Sequence, residues 1–118
     1  MSVDRFDPDR PVIRVGGELA YATSAPLRAE VDRVLAEAPQ TMVLDFADLH
    51  FIDSSGLAVI VHAWREGQEV GATLRLRAVP RFLAAILDMT GVAGLLARPL
   101  PAAQPVAGPG TQTPAATA

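Results

Sequence analysis

Leu44-Asp45-Phe46-Ala47-Asp48-Leu49-His50-Phe51-Ile52-Asp53-Ser54-Ser55-Gly56-Leu57 runs from an apolar, strand-like segment into two adjacent hydroxyls at the start of an apolar helix. Just upstream, Thr41-Met42-Val43-Leu44 is a compact apolar run that suits a strand buried on both faces, and Asp45 through Ile52 lead from it to the serine loop. From Ser55 to about Arg65 the sequence reads as a helix. A buried strand that feeds a helix is the unit of an α/β layer structure. The backbone N–H groups of a helix start are unpaired and carry partial positive charge, so a phosphate on a serine there can be held and its charge can act as a switch. The pattern is regulatory more than catalytic.

Outward from this stretch, strands and helices alternate. Pro11-Val12-Ile13-Arg14-Val15 is the first expected strand, ended by Gly16-Gly17, and Glu18-Leu19-Ala20-Tyr21 suits a second short pairing. Thr23 and Ser24 read as helix caps. From Pro26 the apolar positions Leu27, Val31, Val34, Leu35 and Ala38 fall at helical spacing, with Arg28, Glu30, Asp32, Arg33 and Glu37 opposite, and the helix stops before Pro39. In the serine helix Leu57-Ala58-Val59-Ile60-Val61 is apolar on nearly every side, as expected if one face enters the core and another meets a partner. Gly67 and Gly71 break it, Thr73–Arg77 alternates as a strand with a solvated arginine face, and Pro80 opens a third helix whose apolar set is Phe82, Leu83, Ile86, Leu87 and Met89, with Gly91 placed to end it. Residues 99–118 carry no charge and almost no large apolar side chain, which predicts a disordered Pro/Ala-rich tail. The expected organisation is an N-terminal arm over residues 1–10, one domain over 11–98 and the tail.

Composition narrows the function. A 118-residue chain that is half apolar can bury one real core and has no room for a second. Net charge is −3 and all ten cations are scattered arginines, so nothing resembles the basic stripe that holds nucleic acid. There is no cysteine and there are two histidines, His50 and His62, which argues against thiolate chemistry and against a cysteine or histidine metal cage. The N-terminus lacks the form of a secretory signal, and no apolar run reaches the roughly 18 residues of a membrane span. The expectation is a cytoplasmic protein without membrane insertion, metal or cofactor.

Asp53-Ser54-Ser55 has a plain structural reading as a helix cap beside the functional one, and the two are compatible, since one residue caps while its neighbour reacts. Gly56 serves the close approach of a partner's backbone or packing on a strand. A serine hydrolase would need a Gly-x-Ser-x-Gly elbow, whereas Ile52-Asp53-Ser54-Ser55-Gly56 departs from it, and neither histidine has an acidic orienter evident in the sequence; His62 reads as a surface residue and His50 as a solvated loop residue. A receiver domain fails because the chain has no lysine. Trp64 fits an interface anchor and a core residue equally.

Three blocks in order resemble the STAS domain family, and within it the bacterial anti-sigma-factor antagonists: Gly17-Glu18-Leu19; Val43-Leu44-Asp45-Phe46-Ala47-Asp48-Leu49 running into Phe51-Ile52-Asp53-Ser54-Ser55-Gly56-Leu57; and Leu87-Asp88-Met89-Thr90-Gly91-Val92. The resemblance covers about Val12 to Leu96. It implies a small mixed β-sheet with helices packed against it, and a non-enzymatic partner switch. The antagonist binds an anti-sigma factor that is also a serine kinase, and so regulates transcription. The family's phosphorylated serine directly follows an aspartate, which implies Ser54 here, with a PP2C-type phosphatase restoring it. Asp53, Ser54, Ser55, Gly56, Leu57, Val59 and Ile60 are the expected partner-binding residues. Where antagonists commonly carry Gly-Glu-Leu-Asp, this chain has Gly17-Glu18-Leu19-Ala20. That departure keeps a second implication in view, a constitutive STAS subunit that docks on the ATPase of a lipid-transport ABC system.

Overall fold

The computed structural model describes residues 1–97; the expected tail lies outside the described residues. In chain order the elements are β1 (Ser2–Asp4), β2 (Val12–Arg14), β3 (Gly17–Leu19), α1 (Tyr21–Leu35), β4 (Thr41–Asp45), β5 (Leu49–Ile52), α2 (Ser54–Val70), β6 (Thr73–Arg77), α3 (Arg81–Thr90) and α4 (Val92–Ala97). The four-stranded sheet has the order β1-β2-β4-β6; β2, β4 and β6 are parallel and β1 is antiparallel to β2, so the sheet is mixed as expected. β3 and β5 form a separate parallel pair.

Apolar burial explains the arrangement. In β4, Met42, Val43 and Leu44 are fully buried, as a strand with neighbours on both edges requires. The β2–α1–β4 and β4–α2–β6 crossovers step across the sheet in one direction, so right-handed connections place α1 and α2 on the same face. There Leu27, Val31 and Val34 of α1 and Val59, Ile60 and Ala63 of α2 share one core with Ile13, Leu44, Leu74, Leu83 and Leu87.

Several local expectations change. Residues 2–4, assigned by the sequence to an arm, add a strand to the sheet edge. Helix α1 begins at Tyr21, five residues before Pro26, and Thr23 and Ser24 lie inside it. Its start is held by half of a capping box, in which the Ala20 N–H donates to Thr23 Oγ1 (2.8 Å) while that hydroxyl donates to the Glu18 carbonyl (2.8 Å). Ala38 is exposed and has φ 52°, outside the helix rather than on its buried face. Helix α2 runs through Gly67, because the chain returns against it: a Cβ there would lie 2.9 Å from the Ala72 carbonyl oxygen. It ends at Gly71, whose φ of 77° is the left-handed cap conformation.

Candidate functional site

The site follows from a local symmetry. β3 and β5 lie side by side, with Glu18 opposite Phe51 and Leu19 opposite Ile52, and each strand turns at its end into a helix through one extended residue. Those residues are Ala20 before α1 and Asp53 before α2. The two helix starts therefore emerge together.

Asp53 serves both. Its Oδ1 accepts from the Ser55 N–H (2.8 Å) and the Gly56 N–H (3.1 Å) at the start of α2, and its Oδ2 accepts from the Tyr21 N–H (3.1 Å) at the start of α1. The Asp53 N–H in turn donates to the Leu19 carbonyl (3.2 Å). An aspartate at this cap position was legible in the sequence. Its second attachment was not, although an alanine at the N-cap, which offers no side-chain acceptor to the first-turn amides, is the signal that another group supplies one.

Ser54 is the first residue of α2 and is exposed; Ser55 is half-buried. Gly56 is buried, and a Cβ on it would strike the Leu19 carbonyl oxygen and lie 2.7 Å from Leu19 Cγ and 2.8 Å from Ile52 Cγ1. Of its two sequence readings, packing on a strand is the one this geometry supports: the glycine lets α2 rest on β3.

The structure divides the remaining site residues by face. Val59 and Ile60 are 4% and 0% exposed and belong to the core, so they are corrected from contact residues to core residues; they point at the sheet while the outer face of α2 lies a third of a turn away. Leu57 is half-buried, and the residues that share its side of the helix are Ala58, which is exposed, and Val61 and Trp64, which are half-buried. Trp64 also packs against the core. Tyr21 and Phe51, 82% and 50% exposed, stand on the two elements that flank Ser54. The sequence reading missed Tyr21, Phe51, Ala58 and Val61 as surface residues.

The two histidines separate. His50 is exposed and belongs to β5, not to a loop. His62 is corrected from surface to interior: it is 9% exposed and its Nε2 lies 2.7 Å from Asp32 Oδ1, an acidic partner that the sequence did not reveal. This pair does not make Ser54 a catalytic nucleophile, because His62 stands eight residues along α2, about 12 Å of helix rise from Ser54. Arg77 is likewise more than a solvated strand residue, since its Nε and Nη2 both lie 2.8 Å from Asp45 Oδ2. Among the described residues no group of three potential metal ligands comes together, and no helix is long and apolar enough to cross a membrane. What the arrangement offers chemically is an exposed serine on the first turn of a helix, next to a partly apolar surface.

Comparison with known proteins agrees with the fold. The family model described as "Mlab, STAS domain" matches residues 2–97. An anti-sigma F factor antagonist from Paenibacillus polymyxa is 30% identical over 82 residues, 69% of this chain and 70% of that protein. The anti-sigma-F factor antagonist RsfB from Mycobacterium tuberculosis is 27% identical over 70 residues, 59% of this chain and 55% of the relative. Among solved structures, the phosphorylated form of the Bacillus cell fate determinant SpoIIAA superposes with a TM-score of 0.67 at 22% identity, over 79% of this chain and 85% of that one. The fold is thus shared with these proteins, and the chain belongs to the STAS domain family.

Proposed function

We propose that this chain is an anti-sigma-factor antagonist that works by partner switching in the cytoplasm. The unphosphorylated protein binds an anti-sigma factor that is also a serine kinase, through the surface formed by Ser54 and the outer face of α2. Phosphorylation of Ser54 ends that binding, and a PP2C-type phosphatase restores it. The observation that carries this reading is the exposed hydroxyl of Ser54 on the first turn of α2, beside Leu57, Ala58 and Val61.

The energetics favour rejection of the partner over unfolding of the domain. A phosphate adds about −1.5 to −2 charges, and at a helix start it gains about 0.3–1 kcal/mol from the dipole. Buried against a partner's surface without a cation it costs several kcal/mol, while a thousandfold loss of affinity needs about 4 kcal/mol. The test is incubation with the anti-sigma kinase and ATP, followed by peptide mass spectrometry. Label on Ser54 is expected, and label elsewhere with Ser54 unmodified overturns the assignment. Ser54→Asp is expected to weaken binding of the anti-sigma factor, with Ser54→Ala close to wild type.

Two points favour a second reading, the constitutive subunit of a lipid-transport ABC ATPase: the matching family model bears the description "Mlab, STAS domain", and Ala20 stands where the family resemblance implies that antagonists commonly carry an aspartate. Co-purification of a transporter ATPase in place of a kinase would select it.

A further inference from the structure

We infer that Asp53 is the positioning residue of the Ser54 site, a clamp that locks the starts of α1 and α2 together and so presents Ser54 and the Tyr21 surface as one rigid unit. The functional half of this inference rests on Ser54 being the phosphoacceptor; the clamp itself does not.

Both carboxylate oxygens of Asp53 are committed to backbone amides, Oδ1 to Ser55 and Gly56 and Oδ2 to Tyr21. Three of the roughly four acceptor positions of the carboxylate are thus taken by backbone amides at two helix starts, and the role this supports is geometric. The first-turn amides of α1 receive no side-chain acceptor from their own N-cap, because that residue is Ala20. Asp53 therefore reaches across between elements 32 residues apart in sequence and supplies the missing acceptor. The attachment is reinforced on the backbone by the Asp53 N–H to the Leu19 carbonyl. The contact beneath it is tight, since Gly56 rests on Leu19 with no room for a Cβ. The start of α2 cannot shift without dragging the end of β3 and the start of α1. An acceptor presented on such a frame loses little freedom when an enzyme binds it, so loosening the frame should raise KM rather than slow the chemical step.

Asparagine separates the two halves of the clamp. In Asp53→Asn the single amide oxygen can still accept from Ser55 and Gly56, while the NH₂ group faces the Tyr21 N–H, donor against donor. Amide hydrogen exchange on the full chain is expected to speed up at Tyr21 by about tenfold or more, the loss of one net hydrogen bond of about 1.4 kcal/mol, with Ser55 and Gly56 within about threefold of wild type. Asp53→Ala is expected to speed all three. An unchanged Tyr21 amide in both variants overturns the clamp, whether or not any kinase modifies Ser54. With the anti-sigma kinase, Asp53→Asn is expected to raise KM several-fold with kcat within about twofold. A large fall in kcat at constant KM would make Asp53 a proton acceptor and overturn the positioning role. A wild-type chain that takes no phosphate on Ser54 refutes the functional reading and leaves the exchange result to decide the clamp.

Discussion

His62 and Asp32 join the two helices that cover the sheet: the imidazole Nε2 of α2 lies 2.7 Å from the carboxylate Oδ1 of α1. The histidine is buried and the aspartate side chain is 54% exposed, so the two ends of the bond have unequal alternatives. Freed of His62, Asp32 is solvated at little cost. Freed of Asp32, His62 keeps a buried polar nitrogen to satisfy.

That asymmetry, with the volume of the imidazole, sets the losses expected of the single variants. His62→Ala removes buried volume as well as the bond and is expected to cost about 2–4 kcal/mol. Asp32→Ala is expected to cost about 1–3 kcal/mol, since it leaves the buried His62 nitrogen without its partner, whereas Asp32→Asn, which keeps an acceptor oxygen, is expected to cost under about 1 kcal/mol. Urea unfolding monitored by far-UV circular dichroism measures both. An Asp32→Ala loss under about 0.5 kcal/mol would show that the His62 nitrogen is satisfied without the carboxylate.

Asp45 predicts an acid-sensitive sheet. Its carboxyl is held below the ordinary carboxylate range, first by the Ala47 N–H (2.9 Å to Oδ1) and, against the opposing effect of burial, by the Arg77 guanidinium. A folded pKa below the unfolded one gives stability that is complete above the unfolded value of about 3.9 and disappears as pH falls through the lower folded value. Asp45→Asn cannot titrate. The stability gap between wild type and Asp45→Asn, measured by urea unfolding, should be constant above about pH 5 and close as the solution is acidified toward pH 2. A gap that persists at low pH would assign the loss in the variant to packing alone.

Two glycines make a contrasting pair. Gly56→Ala places its methyl group against the Leu19 backbone oxygen, which cannot move without displacing β3, and is expected to cost about 3 kcal/mol or more. Gly71→Ala meets open space and suffers only from its left-handed conformation, at about 1 kcal/mol. Thermal unfolding of both variants checks the ranking. A milder Gly56→Ala would show that α2 can slide on β3.

Much of this fold was legible because its core elements bury regular patterns: β4 is a continuous apolar run, and α3 places Leu83 and Leu87 one turn apart in the core. The misses share a cause, which is dependence on a distant partner. Leu49–Ile52 buries its two ends and exposes His50 and Phe51, a pattern without alternation, and it becomes a strand only because Gly17–Leu19 pairs with it. Ser2–Asp4 has no apolar signature and is ordered by its antiparallel register with β2. At the site, Ser54 and its aspartate cap could be read locally. The division of 57–61 into Leu57, Ala58 and Val61 outside and Val59 and Ile60 inside required knowing where the sheet lies, and the Asp53–Tyr21 and His62–Asp32 bonds span 32 and 30 residues.

Ala20 then tests what an acid would add at the start of α1. The residue already has the extended conformation of an N-cap, φ −133° and ψ −172°, so aspartate fits without strain. An alanine-to-aspartate change at an N-cap gains about 0.5–2 kcal/mol from hydrogen bonds to the first-turn amides. Here the gain is reduced, because the new carboxylate stands near Asp53, whose Oδ2 already holds the Tyr21 N–H next to position 20. Ala20→Asp is therefore expected to raise stability by about 0.5–1 kcal/mol, and by more in 1 M salt, where repulsion between the carboxylates is screened. In an Asp53→Asn background that repulsion is absent and the α1 start has lost its acceptor, so the same substitution should stabilise more than it does in wild type. Urea midpoints of the four proteins in this double-mutant cycle give the coupling directly. Additive effects would show that Asp53 and position 20 do not serve the same helix start.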